Sequence, residues 1–548
     1  MNYYLCIVDF FRMKKTVRTL FLLGLLGFSQ ANITDDECED QEFHLDPDDC
    51  PNSYYRCYKG PNNSWSVEHH TCPPGTGFNP AIGNCDWTGN LPSNICDGVT
   101  HKPTGPTESP TTTVVDHTTT SSSNPGNKKR LVCYFGAWAF YRIGFGQFDI
   151  DNIDPNLCTH LCYGFANMNN QTWEAVAYDP WYDLAPWDEG CDGDHCHYDS
   201  YRRFNALKQQ NSELKTLLSI GGWNTGSGQW SIMAADPSKR SIFIKSAVKL
   251  ATTFGFDGID FDWEYPGDRE GSDPEHDKED FTLLVEEFSS ALQAQGLILT
   301  AATSPDPVRS EIGYDIPRVA AALDFINVMD YDYHGAWDNF TGVNTPLYGR
   351  VEEDDVNHPG HFFNVNDTVN WYIDSGMPKE KINIGTAAYG RGFTLPKYSE
   401  NTGLYCPAIG GMPAGPYTRQ DGIWGYLEIL QAFNNASLVN LPGATPKEWQ
   451  RVVDGCYMAP YAVNGPYWIG YDNVESIALK AKYANTINVG GAMLFALDLD
   501  DFDGLYGETY PLTRAVRAVL DSGEGLKPDQ ILGENSGCES APICDIAG

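Results

Sequence analysis

The stretch Asp257-Gly258-Ile259-Asp260-Phe261-Asp262-Trp263-Glu264 decides how this chain is read. Acids alternate with bulky apolar residues at the two-residue period of a strand, whose successive side chains face opposite ways. Asp260, Asp262 and Glu264 therefore share one face, roughly 7 Å from one to the next. Phe261 and Trp263 take the other face, where helices would cover them, and Phe254 and Phe256 add to that apolar side. Three acids turned into a protein interior repel one another and lose hydration. That lifts at least one pKa toward neutrality, as a general acid requires.

Outward from this strand the chain keeps a regular beat. Short apolar, β-rich runs occur at Leu131–Trp138, His160–Ala166, Lys215–Gly222, Gly258–Glu264 and Leu297–Ser304, then at Phe325–Asp332, Ile382–Gly390 and Gly490–Asp498. Amphipathic helical segments such as Ser238–Phe254, Glu279–Gln295 and Val474–Tyr483 lie between several of them. Eight strands with intervening helices predict an α/β fold, a (β/α)8 barrel. A doubly wound sheet is disfavoured because no Gly-rich phosphate loop follows the first strand. About a hundred residues separate the seventh and eighth runs, too many for a loop, so a small α+β subdomain is expected at about 392–470. Glu264, last on the fourth strand, would sit at the C-terminal mouth where barrel sites are built.

The whole chain has 548 residues, enough for two to five domains at roughly 100–200 residues each. Thirty-six Lys and Arg against 73 Asp and Glu leave a net charge of −37. Such a field repels phosphate backbones and anionic lipid, which speaks against nucleic-acid and membrane partners. Hydrophobic residues make up 41% and aromatics 13%, with 14 Trp, too apolar for a disordered chain. Leu20–Phe28 is a short apolar core behind Lys14, Lys15 and Arg18, and Ser29-Gln30-Ala31 follows it. This predicts a signal peptide over 1–31, with Met13 an alternative start, and a secreted, extracellular protein. The run is too short to cross a bilayer comfortably. Sequons at Asn32, Asn62, Asn170, Asn339, Asn366 and Asn435 fit that route. Residues 32–96 form a small cysteine-rich module, 97–128 a Thr/Ser/Pro-rich linker, 129–522 the barrel, and 523–548 a Gly- and acid-rich tail.

At its acidic strand the chain resembles glycoside hydrolase family 18, the chitinases and chitinase-like lectins. The pattern D-G-x-D-x-D-x-E carries the resemblance, supported by Lys215–Trp223, Met329-Asp330-Tyr331-Asp332, Tyr389-Gly390-Arg391 and Gly490–Phe502 in matching order. The resemblance implies Glu264 as proton donor and the substrate's own acetamido oxygen as nucleophile, the substrate-assisted exception to the two-carboxylate rule. It implies that Asp262 holds the acetamido N–H, with Asp260 behind it, Tyr331 on the acetamido carbonyl and Asp332 beneath the sugar. No metal or organic cofactor is implied; the partner is chitin or chito-oligosaccharide, and the chain is expected to act as a monomer. Tyr134, Trp138, Trp223, Trp337 and Tyr389, near predicted strand ends, are substrate-binding candidates, since sugar faces lie flat on rings. Asn224, Tyr265, Met329 and Arg391 join them. Phe495 stands where active members usually carry Trp under the scissile sugar, so this position departs from the family.

In residues 32–96 six Cys leave fifteen connectivities open. Tyr54-Tyr55-Arg56-Cys57, Cys72-Pro73, Phe78 and Cys85-Asp86-Trp87 resemble the peritrophin-A type chitin-binding module, carbohydrate-binding family 14. That family implies Cys38–Cys57, Cys50–Cys96 and Cys72–Cys85, although six residues between the second and third Cys is one more than usual. Tyr54, Tyr55, Trp65 and Trp87 are its candidate sugar platforms. Cys133–Cys158 matches a barrel-family disulfide; Cys406–Cys456 is expected within the insertion and Cys538–Cys544 in the tail. Cys191 and Cys196, with His195 and His197 nearby, are read as a small disulfide loop in preference to a metal site. Losing Cys6 with the signal leaves an odd fifteen, and Cys162 is the candidate free thiol. The expected function is a secreted endochitinase. A weak or inactive chitin-binding lectin, and a structural matrix protein with the barrel as spacer, are the alternatives.

Overall fold

The computed structural model describes residues 129–184, 198–350, 353, 358, 360–396, 402–434, 441, 449–527, 530 and 544, and, earlier in the chain, Cys50 and the backbone of five strands. The segments expected as signal peptide (1–31) and linker (97–128), the expected Cys191–Cys196 loop and Cys538 lie outside the described residues. The chain divides into two compact units, 1–119 and 120–548.

In the first unit Phe43–Leu45, Ser53–Lys59 and Trp65–Thr71 form an antiparallel sheet, and Thr76–Asn79 pairs with Asn84–Trp87. Tyr54 and Tyr55 lie opposite His70 and His69 in register, Trp65 opposite Lys59, and Trp87 opposite Thr76. Cys50 is disulfide-bonded. The pairings expected for Cys38, Cys57, Cys72, Cys85 and Cys96 fall outside the described side chains.

In the second unit eight parallel strands close on themselves: β1 (Arg130–Gly136), β2 (His160–Met168), β3 (Lys215–Gly221), β4 (Gly258–Asp262), β5 (Ile298–Thr303), β6 (Phe325–Val328), β7 (Ile382–Ala387) and β8 (Gly491–Phe495). Closure comes from β8 pairing with β1, Met493 opposite Val132, and β1 pairing with β2, Tyr134 opposite Cys162. All eight expected runs are barrel strands. The interior face of β4 is acidic because its outer face is so well covered. Phe261 lies 5.2 Å from Trp230, 5.9 Å from Phe243 and 6.1 Å from Phe281, ring to ring, and Trp263 lies 5.9 Å from Phe281. Burying each such ring contributes about 1.5–3 kcal/mol, which fixes the strand's rotation against the repulsion of its acids. Phe243 sits on the helix Pro237–Phe254, begun by an Asp236 side chain that accepts from Ser238 N at 2.8 Å and ended by Gly255 at φ 83°. Phe281 sits on the helix Asp277–Gln293. No helix among the described residues is long and apolar enough to cross a membrane.

Most strand ends differ from the sequence reading, the sixth stopping at Val328 instead of Asp332 and the eighth at Phe495 instead of Asp498, and two further differences bear on the site. The fourth strand ends at Asp262, so Glu264 stands just past it. The seventh ends at Ala387; Ala388 N donates to Phe495 O at 2.8 Å, and Tyr389–Thr394 leaves to begin the inserted sheet. That sheet is antiparallel, in the order Ile423–Gly425, Tyr389–Thr394, Tyr467–Gly470, Ala459–Asn464, Gln450–Asp454. It has its own apolar centre at Phe393, Leu395, Tyr457 and Trp468.

The disulfides confirm one expectation and correct two. Cys133–Cys158 is present and Cys162 is a buried free thiol. Cys406 pairs with Cys544, not with Cys456, so Cys538–Cys544 is excluded as well; Cys456 is itself disulfide-bonded. The physical reason is that Cys544 lies against the insertion, where its N–H donates to Leu404 O at 2.9 Å.

Candidate active site

Parallel register places polar donors on both sides of β4. Asp260 lies opposite Ser219 on β3 and Thr300 on β5. Its Oδ2 accepts from Ser219 Oγ at 2.8 Å and from the Tyr134 hydroxyl at 2.6 Å. Its Oδ1 accepts from Thr300 Oγ1 at 2.6 Å and Asn327 Nδ2 at 3.2 Å. Burial pushes this carboxyl above the usual range, and the four donors pull part of the way back. Asp262, one pleat nearer the mouth, is treated differently. Its Oδ1 is buried with no hydrogen-bond partner among the described residues. Burial first, then the charges of Glu264 and Asp260, hold its carboxyl well above the ordinary range. Glu264 is 9% exposed, and its pKa is pushed up to about 7. Burial is the largest cause; hydrogen bonding with Tyr265 and the Arg269 cation oppose it, while the Asp332 charge adds to it. A carboxyl that holds its proton near neutrality therefore stands beside a second buried carboxyl whose Oδ1 has no partner among the described residues.

The mouth of β3 approaches closely enough to forbid a side chain. A Cβ on Gly221, at φ 126°, would meet the Asp262 carbonyl at 2.0 Å, and Gly222 N donates to that carbonyl at 2.8 Å. Trp223 follows in a short turn and is 58% exposed; Asn224 beside it is exposed too. Beyond β6, Asp332 adopts the left-handed region at φ 61°. It accepts from Arg391 Nε at 2.7 Å, from Arg391 Nη2 and from the Tyr389 hydroxyl at 2.6 Å, while its N–H donates to Asn344 Oδ1 at 2.9 Å. The Arg391 guanidinium also lies 4.9 Å over the exposed Trp337 ring. Phe495, half-buried at the end of β8, is ringed by Tyr134 at 5.5 Å, Tyr331 at 6.0 Å, Tyr389 at 6.4 Å and Trp138 at 6.5 Å.

Residues 130–500 match the glycosyl hydrolases family 18, which is most of the chain. The chain belongs to that family. Within family 18, the crystal structure of the Ostrinia furnacalis Group IV chitinase in complex with allosamidin is 39% identical, with a TM-score of 0.65 over 72% of this chain and 100% of that one. Human YKL-39, described as a pseudo-chitinase with retained chitooligosaccharide binding, is 34% identical with a TM-score of 0.61, over 72% of this chain and 99% of its own. Residues 38–96 match the chitin binding Peritrophin-A domain. The probable chitinase 10 of Drosophila melanogaster is 33% identical over 92% of this chain, which spans only 21% of that fly protein.

Of the residues singled out in the sequence, Trp138 follows β1, Trp223 and Asn224 follow β3, Glu264 and Tyr265 follow β4, Met329, Tyr331 and Asp332 follow β6, and Phe495 ends β8. Tyr331, 6% exposed, points its hydroxyl at Met493 Sδ, 3.7 Å away; Met329 and Tyr265 are each 7% exposed. Trp138 stacks on Phe165 at 5.8 Å and keeps one side open. Tyr134 departs from the expectation of a sugar platform: it is buried in the barrel and its hydroxyl is committed to Asp260. Sequence reasoning missed Ser219, Thr300 and Asn327, whose signal was the register with β4. It also missed Arg269, in a polar loop without periodicity, and Arg309, on the short helix Pro307–Gly313. Arg309 pairs with Asp268 and lies 4.7 Å over the Tyr265 ring.

Proposed function

We propose that the chain is a secreted endochitinase that hydrolyses β-1,4-linked N-acetylglucosamine with retention, by a substrate-assisted mechanism. The observation that carries the reading is the contrast along β4: Asp260 is saturated by four donors, whereas buried Asp262 Oδ1 has none. An unfilled acceptor in that position suits an amide N–H that arrives with the substrate. Glu264, protonated near neutral pH, gives its proton to the glycosidic oxygen as the C–O bond breaks. The acetamido carbonyl oxygen attacks the anomeric carbon and forms an oxazolinium ion, whose charge Asp262 offsets. Tyr331 orients that carbonyl and Asp332 supports the sugar. Water, deprotonated by Glu264, then opens the ion from the face the leaving group vacated, so configuration is retained.

Residues 32–96 are proposed to hold the enzyme on solid chitin through the linker 97–128, after removal of the segment 1–31. A second reading, a chitin-binding lectin, is favoured by Phe495 and by the likeness to the human pseudo-chitinase. Release of reducing sugar from colloidal chitin decides between them. The wild type is expected to release it, and Glu264→Gln to lose on the order of a hundredfold or more in turnover while still binding oligosaccharide. A wild type that binds without releasing sugar establishes the lectin; an active Glu264→Gln refutes the assignment of the acid.

A further inference from the structure

The loop after the acid reaches back across the mouth of the barrel. Arg269, half-buried and at φ 76°, donates from Nη1 to the carbonyl of Glu264 at 2.9 Å and to the carbonyl of Trp223 at 3.0 Å. Its guanidinium carbon lies 3.7 Å from the centre of the Trp223 ring. One planar cation thus touches the backbone of the acid that follows β4 and both the backbone and the ring of the exposed tryptophan that follows β3. A surface arginine held only by an aromatic face has little consequence. Here the same group is fixed by two carbonyls from two different barrel loops, so the ring and the acid cannot shift independently.

We propose that Arg269 is a positioning residue that couples the Trp223 platform to Glu264, so that a sugar seated on the ring is held in register with the proton donor. The inference rests on the reading of Glu264 as the acid. It also has an electrostatic side. The groups around Glu264 are Asp262 on β4, Asp332 and Tyr331 after β6, Tyr265 and Arg269 on its own loop, and Arg309 on the helix Pro307–Gly313. The two cations favour the ionised carboxylate and so oppose the effect of burial. Removing Arg269 raises the pKa of Glu264, which keeps its proton to higher pH.

The test uses the full chain and a soluble chitin hexasaccharide, comparing wild type, Arg269→Gln, Arg269→Lys and Glu264→Gln. Arg269→Gln is expected to raise KM about three- to tenfold and to move the basic limb of kcat/KM up by about half a pH unit. Arg269→Lys keeps the charge without the planar face, so KM rises while the limb stays. In a Trp223→Ala background, Arg269→Gln should add little further to KM, because the two residues act as one unit. The proposal is overturned by an Arg269→Gln enzyme with the wild-type KM and basic limb, or by one that only loses kcat. If Arg269→Gln does not fold, an Arg269→Lys enzyme with unchanged KM overturns it equally. An active Glu264→Gln defeats the acid reading, a result separate from any of these.

Discussion

Replacing Phe495 by Trp sets two effects of similar size against each other. The indole adds about 40 Å² of ring surface to the side chain. At about 25 cal/mol per Å², that is about 1 kcal/mol of extra stacking if the ring forms the floor under a distorted sugar. Expressed only in the transition state, it raises turnover roughly fivefold. Against it stands crowding: Tyr134, Tyr331, Tyr389 and Trp138 all have ring centres within 6.5 Å of Phe495. Overpacking a filled site costs about 1–3 kcal/mol. With about 2.1 cal/mol/K of unfolding entropy per residue in a barrel of roughly 400 residues, that lowers the melting temperature by about 1–4 °C. Phe495 is half-buried, so the larger ring has an open side to grow into. The expected outcome is a rise in turnover with a melting temperature within about 2 °C of wild type. Calorimetry beside reducing-sugar release from soluble oligomers measures both. A stable variant with unchanged turnover and unchanged oligosaccharide affinity refutes the placing of Phe495 beneath the scissile sugar.

Other outcomes follow from the same geometry. Because burial lifts Glu264 to about 7 and its protonated form is the active one, kcat/KM should fall tenfold per unit above roughly that pH, and an activity that keeps rising past pH 9 contradicts this. Lys480 and Asp472 form an ion pair with both side chains 0% exposed, so Lys480→Met strands a buried carboxylate. The cost is about 3–5 kcal/mol, or about 4–6 °C in melting temperature, and Lys480→Met with Asp472→Leu should recover most of it. Deleting residues 32–96 should reduce action on solid chitin far more than on soluble hexamer, since tethering raises local concentration without touching the chemistry; an equal loss on both would place the module within the barrel's own function.

Much of the barrel was legible because each strand couples an apolar run to a turn, and β4 carries its acids at the strand period. Phe261 and Trp263 show why that pattern is reliable: one residue of slip would take both rings from the helices and leave the acids beneath them instead. What was not legible depends on neighbours distant in sequence. Asp260 and Asp262 are identical in type and two residues apart. Only the presence of Ser219, Thr300, Asn327 and Tyr134 beside one of them separates a saturated carboxylate from an unfilled one. Tyr134 looked like a surface ring because strand ends are crowded with them, whereas its depth within β1 turns its hydroxyl inward. Arg269 left no trace in any period, being one cation in a polar loop; its place five residues past the acid was the sole hint.

The Cys406–Cys544 bond also has a meaning in time. Its two sulfurs are separated by 138 residues of chain. At about 5–20 residues per second of synthesis, Cys544 follows Cys406 by roughly 7–30 s. Cys456 emerges well before that, so during this interval the nearer thiol is available to Cys406 while the native partner does not yet exist. β8, the strand that closes the barrel, is also made within that interval. The native bond can form only on a chain whose last strand has already been synthesised, whereas a premature Cys406–Cys456 crosslink must be undone by thiol exchange. This bond is therefore a record of order: chains that carry it have waited for Cys544.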